Sequence, residues 1–375
     1  MKKITLLFFP LIFAIFAFNN NNTSLPGSKM NEVIQNDGPF VLYKNDNILV
    51  KYIFEENGQK EGRTQNVAMA DKAGLSLTVL TDQFGKTFSV KLKNKLEVEK
   101  SEYKKPPKMV AISDIEGNFE AFRELLQNCG VIDTAFNWTF GDGHLVLVGD
   151  FFDRGNEVTE VLWLIYSLED KAKAAGGYVH FVLGNHEIMN LSGDLRYVPA
   201  KYLQNAALLD ENYTKGLYGK DSELGRWLRT KNIIEKVGDI LFMHGGISPE
   251  MNRMDISSLT RINEMARPYY PDSTYIYQDA RLDVIYGDMG PFWYRGYYKG
   301  RLLAPTTQID STLDIFNVKV IVTGHCIIAD TITAFHNGKL IDLDVHHAEG
   351  HSEALLIEGG KYYRVTKGGE KFLLM

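Results

Sequence analysis

Five short stretches of this 375-residue chain gather side chains that bind cations and phosphate. They are Asp114-Ile-Glu-Gly-Asn118, Gly149-Asp-Phe-Phe-Asp-Arg-Gly155, Gly184-Asn-His-Glu187, His244-Gly-Gly246 and Gly324-His325. Carboxylates, an amide and imidazoles make a mixed oxygen and nitrogen donor set, which suits manganese, iron or zinc rather than calcium. Asp150, in the middle of the series, is the natural bridge between two metals, because both of its oxygens can be used at once. Asp114 and Glu116 are expected to complete the shell of the first metal, and Asn185, His244 and His325 that of the second. Two such cations lower the pKa of water and neutralise charge on phosphoryl oxygens. The chemistry this set could do is therefore hydrolysis of a phosphate ester by a hydroxide held between the metals.

Three residues of the same stretches are left for work that involves no metal. His186, directly after Asn185, can protonate the leaving alkoxide or phenoxide, a contribution of roughly 100- to 10,000-fold in such reactions. Asp153 could accept the second ring N–H of His186, which fixes the tautomer and raises the imidazole pKa. Arg154 offers a planar fork that can hold phosphate through two hydrogen bonds.

Positioning these groups falls to the runs that precede them. The apolar segments 108–112, 145–148 and 179–183 each read as a buried strand ending at one of the first three motifs. Sites in open α/β folds form at such strand ends. Periodicity alone supports an α/β fold.

The ordered motifs resemble the calcineurin-like metallophosphoesterase superfamily, in its phosphoprotein phosphatase branch. Gly225-Arg-Trp-Leu-Arg229, Leu241-Phe-Met-His-Gly-Gly-Ile-Ser-Pro249 and Gly290-Pro-Phe-Trp-Tyr-Arg-Gly-Tyr297 are similar to the bacterial Shewanella-like phosphatases. The resemblance spans about 109–357. It implies a four-layer α/β/β/α sandwich, two divalent metal ions, and Arg295 as a second phosphate-binding arginine. It also implies a phosphomonoesterase acting on phosphoprotein Ser, Thr or Tyr or on small phosphoesters. A phosphodiesterase or dinucleotide polyphosphate hydrolase on the same scaffold is the alternative, and needs a pocket for a second nucleoside that the chain does not clearly offer. One departure stands out: Glu116 occupies the position of a family histidine. It adds an oxygen donor and a negative charge, favouring a harder metal such as manganese or magnesium if it ligates directly. The other reading places it behind the ligands, with a looser first metal.

Composition agrees with a large enzyme. With 45% apolar and 12% aromatic residues the chain can bury a substantial core. A net charge of -6 gives no basic field for nucleic acid, which is not an expected partner. Met1-Lys2-Lys3 followed by the apolar stretch 4–18 and a polar exit reads as a signal peptide over 1–27. Export to the periplasm or the extracellular space is the expectation, with membrane attachment only through an uncleaved N-terminal segment. Short alternating runs over 36–92 read as a small β module, 93–108 as a linker containing Pro106-Pro107, and 106–375 as the catalytic domain.

Cys129 and Cys326 read as free buried thiols. His144, His180 and His336 fall at no motif position and read as structural. His346, His347 and His351 cluster with Asp344, Glu349 and Glu353, which could form a third metal site or a rim of the main one, a spacing too weak to place them among the ligands. The stretch 188–235 reads as a roof over the site, with Arg196, Tyr197 and Tyr202 as candidate substrate contacts. Tyr269, Tyr270, Tyr294, Tyr297 and Tyr298 form an aromatic band of the kind that usually serves packing, and would favour a flat leaving group only if it lined the groove.

Overall fold

Alternation along the strands sets the layers. The computed structural model describes residues 36–375 except 57, 84, 255, 275, 301 and 302, so the signal-peptide reading of 1–27 lies outside the described residues. The first strands are β1 (Asp37–Lys44), β2 (Asn47–Glu56), β3 (Gln59–Ala68), β4 (Ser76–Leu80) and β5 (Thr87–Lys91). Next come β6 (Glu102–Tyr103), β7 (Lys108–Ile112), β8 (His144–Val148), β9 (Tyr178–Val182), β10 (Ile234–Val237) and β11 (Ile240–Met243). The last are β12 (Val320–Thr323), β13 (Thr333–Phe335), β14 (Leu340–Asp342), β15 (Glu353–Glu358), β16 (Lys361–Thr366) and β17 (Lys371–Leu373).

Two six-stranded sheets lie at the centre, in the orders β17-β16-β15-β7-β8-β9 and β13-β14-β12-β11-β10-β6. Met109 and Ala111 of β7 and Val146 and Val148 of β8 join Ile240, Phe242, Val320 and Val322 of the other sheet in one apolar layer. The alternate residues Val110, Ile112, Leu145 and Leu147 belong instead to the larger core beneath the helices. Strands buried on both faces need apolar side chains at every position, which explains the unbroken runs before the motifs. Helices α1 (Phe119–Asn128) and α2 (Val158–Ala174) pack over the first sheet, and the helix Leu259–Ala266 packs on β10 of the second. The fold is the expected four-layer metallophosphoesterase sandwich.

Strand direction places the motifs. β7, β8 and β9 run parallel, as do β11, β12 and β14. Asp114, Asp150 and Asn185 follow the C-terminal ends of the first trio, and His244 and His325 follow β11 and β12. This is the end of an α/β sheet at which sites form.

The strands of 37–91 form an antiparallel three-stranded sheet, β1-β2-β3, and a hairpin, β4-β5. Phe40, Ile48, Val50, Leu77, Val79 and Phe88 share one buried cluster with Trp163 and Tyr166 of α2. Trp163 Nε1 donates to the Pro39 carbonyl at 2.7 Å, and the described residues make one compact unit. The connection after β5 is pinned rather than loose. Lys93 Nζ lies 2.7 Å from Asp170 and 3.3 Å from Glu169, and Lys231 bridges Glu169 and Glu99.

Candidate metal centre and phosphate site

The loops after β7 and β8 are stitched together by their backbones. Asp114 N donates to Gly149 O at 2.9 Å, Glu116 N to Asp150 O at 3.0 Å, and Gly117 N to Phe151 O at 3.1 Å. Asp114, Glu116, Asp150, Asp153, Arg154 and His325 all adopt positive φ, between 47° and 72°. Left-handed backbone outside glycine costs on the order of 1–3 kcal/mol per residue and persists only where the surroundings enforce it. Glycines permit the close approach. A Cβ on Gly184 would come within 2.3 Å of Asp150 Oδ1, and one on Gly324 within 2.2 Å of Asp114 Oδ2.

A buried carboxylate organises the same turns. Glu187 accepts from Gly184 N at 2.7 Å, Asp150 N at 2.9 Å and Phe151 N at 2.8 Å. Burial, then the nearby charge of Asp150, pushes Glu187 up to about 7. In the sequence Glu187 is marked only by its place three residues into a helix, where a glutamate can accept from the N-cap N–H.

Asp150, His244 and His325 form one donor group, with their ligand atoms within 4.8 Å of one another. His244 Nδ1 donates to the Val148 carbonyl at 2.8 Å, which turns Nε2 inward. It lies 2.9 Å from Asp150 Oδ2 and 3.1 Å from Asn185 Oδ1, both acceptors. These acceptors are reconciled by a positive charge, either a proton on Nε2 or a metal ion that takes the proton's place. Burial opposes a charge on His244, but Asp150 and Asp114 outweigh it and lift the imidazole to about 9. His325 Nε2 is buried with no hydrogen-bond partner. The residues therefore fit a divalent ion bound by Asp150, Asn185, His244 and His325.

Beside it, Asp114 accepts from His325 N at 3.1 Å and is lifted by burial to about 6. Glu116 shares a second donor group with Asp150 and His186, again within 4.8 Å. Its carboxylate is also ion-paired with the Arg154 guanidinium. The residue assigned to the first metal and the residue assigned to phosphate thus hold each other here. Arg295 borders the same cavity, anchored by a 2.8 Å hydrogen bond to the His325 carbonyl.

His186 is fixed from two sides. Its backbone N–H donates to Asp150 Oδ1 at 2.9 Å, and its Nδ1 meets Asp153 Oδ2 at 2.6 Å. Asn190 Nδ2 holds the other oxygen of Asp153 at 2.8 Å, and the Tyr213 hydroxyl donates to Asn190 Oδ1 at 2.6 Å. Burial lowers the imidazole pKa, but Asp150 and Asp153 reverse the shift and raise it.

These groups surround a cavity of about 650 Å³. Asp114, Glu116, Asp150, Arg154, Asn185, His186, Arg295 and His325 border it, while His244 and Asp153 reach the site from behind these residues. Asp344, His346, His347 and Glu349, which the sequence reading left out of the ligand set, also line it. Asp344 is buried and sits in the field of Asp114 and Asp150. His347 Nε2 lies 3.1 Å from the Ser113 carbonyl, and its Nδ1 has no partner. The sequence signal for them is their clustering of imidazoles and carboxylates over 344–353, and the structure makes them part of the wall of the main site.

Other candidates take different places. Tyr202 is buried and its hydroxyl accepts from Val158 N at 2.8 Å, so it is a packing residue rather than a substrate contact. Arg196 pairs with Asp194. Tyr270, Tyr294 and Tyr297 are buried in the core and do not line the cavity. His180 of β9 contacts His144 of β8 and, across to the second sheet, Glu235 of β10. Both cysteines are free.

Residues 107–326 match the calcineurin-like phosphoesterase family, and the chain belongs to it as a metal-dependent phosphoric ester hydrolase. Shewanella-like protein phosphatases are among the proteins it is similar to. Over 304 residues it is 28% identical to Shewanella-like protein phosphatase 2 of Arabidopsis thaliana, covering 69% of this chain and 76% of that one. The crystal structure of a cold-active protein-tyrosine phosphatase of a psychrophilic Shewanella superposes with a TM-score of 0.81 at 34% identity, over 91% of this chain and 99% of that one. A symmetrical bis(5'-nucleosyl)-tetraphosphatase of Buchnera aphidicola is 35% identical over 143 residues, but this covers only 37% of the chain and 44% of the relative.

Proposed function

We propose that the protein is a dinuclear phosphomonoesterase whose substrates are phosphoproteins, phosphotyrosine foremost, or small phosphate esters. The observation that carries this reading is the convergence of Asp150, Asn185, His244 Nε2 and the unpartnered His325 Nε2 beside a histidine held by its own carboxylate. In it, Asp114, Glu116 and Asp150 hold one ion, and Asp150, Asn185, His244 and His325 hold the other. Manganese, iron and zinc suit these donors. Bound there, the ions supply an activated water and neutralise phosphoryl charge. Arg154 and Arg295 orient the phosphate, with Arg154 turning from Glu116 as the anion enters. His186, its Nδ1 bound to Asp153, presents Nε2 to the leaving oxygen and delivers the proton. The likeness to the Shewanella protein-tyrosine phosphatase supports the choice of substrate class.

Phosphate release from p-nitrophenyl phosphate, bis-p-nitrophenyl phosphate and diadenosine tetraphosphate tests the reading. Hydrolysis of the monoester is expected to dominate. Preference for the diester or the dinucleotide would overturn it in favour of the activity named for the Buchnera relative. We also propose export to the cell envelope or beyond, supported by the basic head and apolar stretch of residues 1–18.

A further inference from the structure

We propose that Asp37, Glu160 and Asn205 form a separate cation site that takes a calcium ion and fastens the first strand to the catalytic layers. Three elements meet there: β1 begins at Asp37, Glu160 lies in the first turn of α2, and Asn205 sits on the helix Ala200–Leu208. The three residues are 3%, 6% and 0% exposed. Asn205 Nδ2 donates to Asp37 Oδ2 at 2.7 Å, and Asp37 Oδ1 accepts from Gly38 N at 2.8 Å. What the two helices contribute beyond this bond is left over. Asn205 Oδ1 and Glu160 Oε2 are buried without a hydrogen-bond partner, the same condition that marks His325 Nε2 at the metal centre. None of the three residues lines the catalytic cavity.

The surroundings supply oxygen but no base. Burial, and then the charge of Asp37, pushes the Glu160 carboxyl well above the usual carboxylate range. Lys201, the nearest positive charge acting on Glu160, is committed elsewhere, its Nζ donating to the Asn156 carbonyl. Tyr202 and Tyr218 are buried beside the pair, and burial followed by the charge of Asp37 keeps their hydroxyls protonated. Among the described residues, neither Asp37 nor Glu160 forms an ion pair. Carboxylate, amide and hydroxyl oxygens without imidazole or thiolate suit a hard cation. Calcium accepts an irregular set of such donors, whereas magnesium keeps an octahedral shell with several waters, which a buried cluster does not supply. The competing occupant is a proton shared by the two carboxyls. Calcium must displace it, so binding should release protons and weaken as the pH falls.

Equilibrium dialysis against calcium chloride tests the site, using the full chain with Asp150→Asn so that the catalytic metal centre is disabled. That protein is expected to retain about one calcium per chain at roughly 1 mM free calcium, within the range of such oxygen sites. Adding calcium should also raise its melting temperature and acidify a weakly buffered solution. In the same background Glu160→Gln, which keeps the shape and removes the charge, should lose the ion and both effects. Asn205→Asp, which adds a third carboxylate in the same shape, should bind calcium more tightly, because affinity follows the number of charged ligands. This second variant reads the site even where Glu160→Gln fails to fold. Absence of bound calcium in Asp150→Asn would overturn the proposal in favour of the shared proton. Undiminished binding after Glu160→Gln, or weaker binding after Asn205→Asp, would overturn it by placing the ion elsewhere.

Discussion

A single proton decides how His244 is used. With Nδ1–H committed to the Val148 carbonyl, Nε2 confronts a carboxylate and an amide oxygen, and only a positive charge reconciles them. Asp150 is the common partner, touching His244 and the His186 backbone at once. Asp150→Asn is therefore expected to abolish turnover and to strip bound metal, measured together by phosphate release and elemental analysis. His186→Asn should behave differently. Its kcat is expected to fall roughly 100- to 10,000-fold, the worth of a positioned general acid, with metal content unchanged. Metal loss in the His186 variant, or full activity in either, would contradict these roles.

Turns rather than helices carry the site, and what holds a turn in an unfavourable conformation can be tested. Glu187 satisfies backbone N–H groups from two different loops through one carboxylate. A glutamine in its place supplies one oxygen and turns an NH2 toward donors that need acceptors. Leaving buried donors unsatisfied costs roughly 1–3 kcal/mol. Glu187→Gln should lose about that much in urea unfolding of the metal-free protein, and an unchanged midpoint would show that the cap does not support the turns. Gly184→Ala places a methyl 2.3 Å from Asp150 Oδ1 and should weaken metal binding more than it weakens the fold. Titration of the metal-free variant with manganese measures the first, and thermal unfolding the second.

Across the whole molecule, the strands of 37–91 and the catalytic layers share one core. Phe40, Val50, Val79 and Phe88 are buried against α2, and Trp163 is tied to the Pro39 carbonyl. A chain that begins after residue 92 would expose the face of α2 that carries Trp163 and Tyr166. It is expected to lose cooperative unfolding and to bind a hydrophobic dye, and a soluble, cooperatively folding fragment would refute the shared core. Metal should stabilise the intact protein by linkage, about 2.7 kcal/mol at a free concentration one hundred times Kd. A melting temperature indifferent to manganese and to chelator would count against a metal centre in the native fold.

Residue types, their order and the runs before them were enough for the amino-acid sequence to specify the family and, through that resemblance, the layered α/β fold, and to nominate candidate metal ligands. Each of these depends on local spacing, and a buried strand that ends in a ligand leaves a continuous mark. Contacts between segments far apart in the chain leave no such mark. Pairing of Glu116 with Arg154, the wall built by Asp344 and His347, and the place of Tyr197 beside His186 were set only when separate loops met. The aromatic band illustrates the same limit from the other side, because Tyr270 and Tyr297 went to the core by the way the chain packs, which their spacing could not reveal.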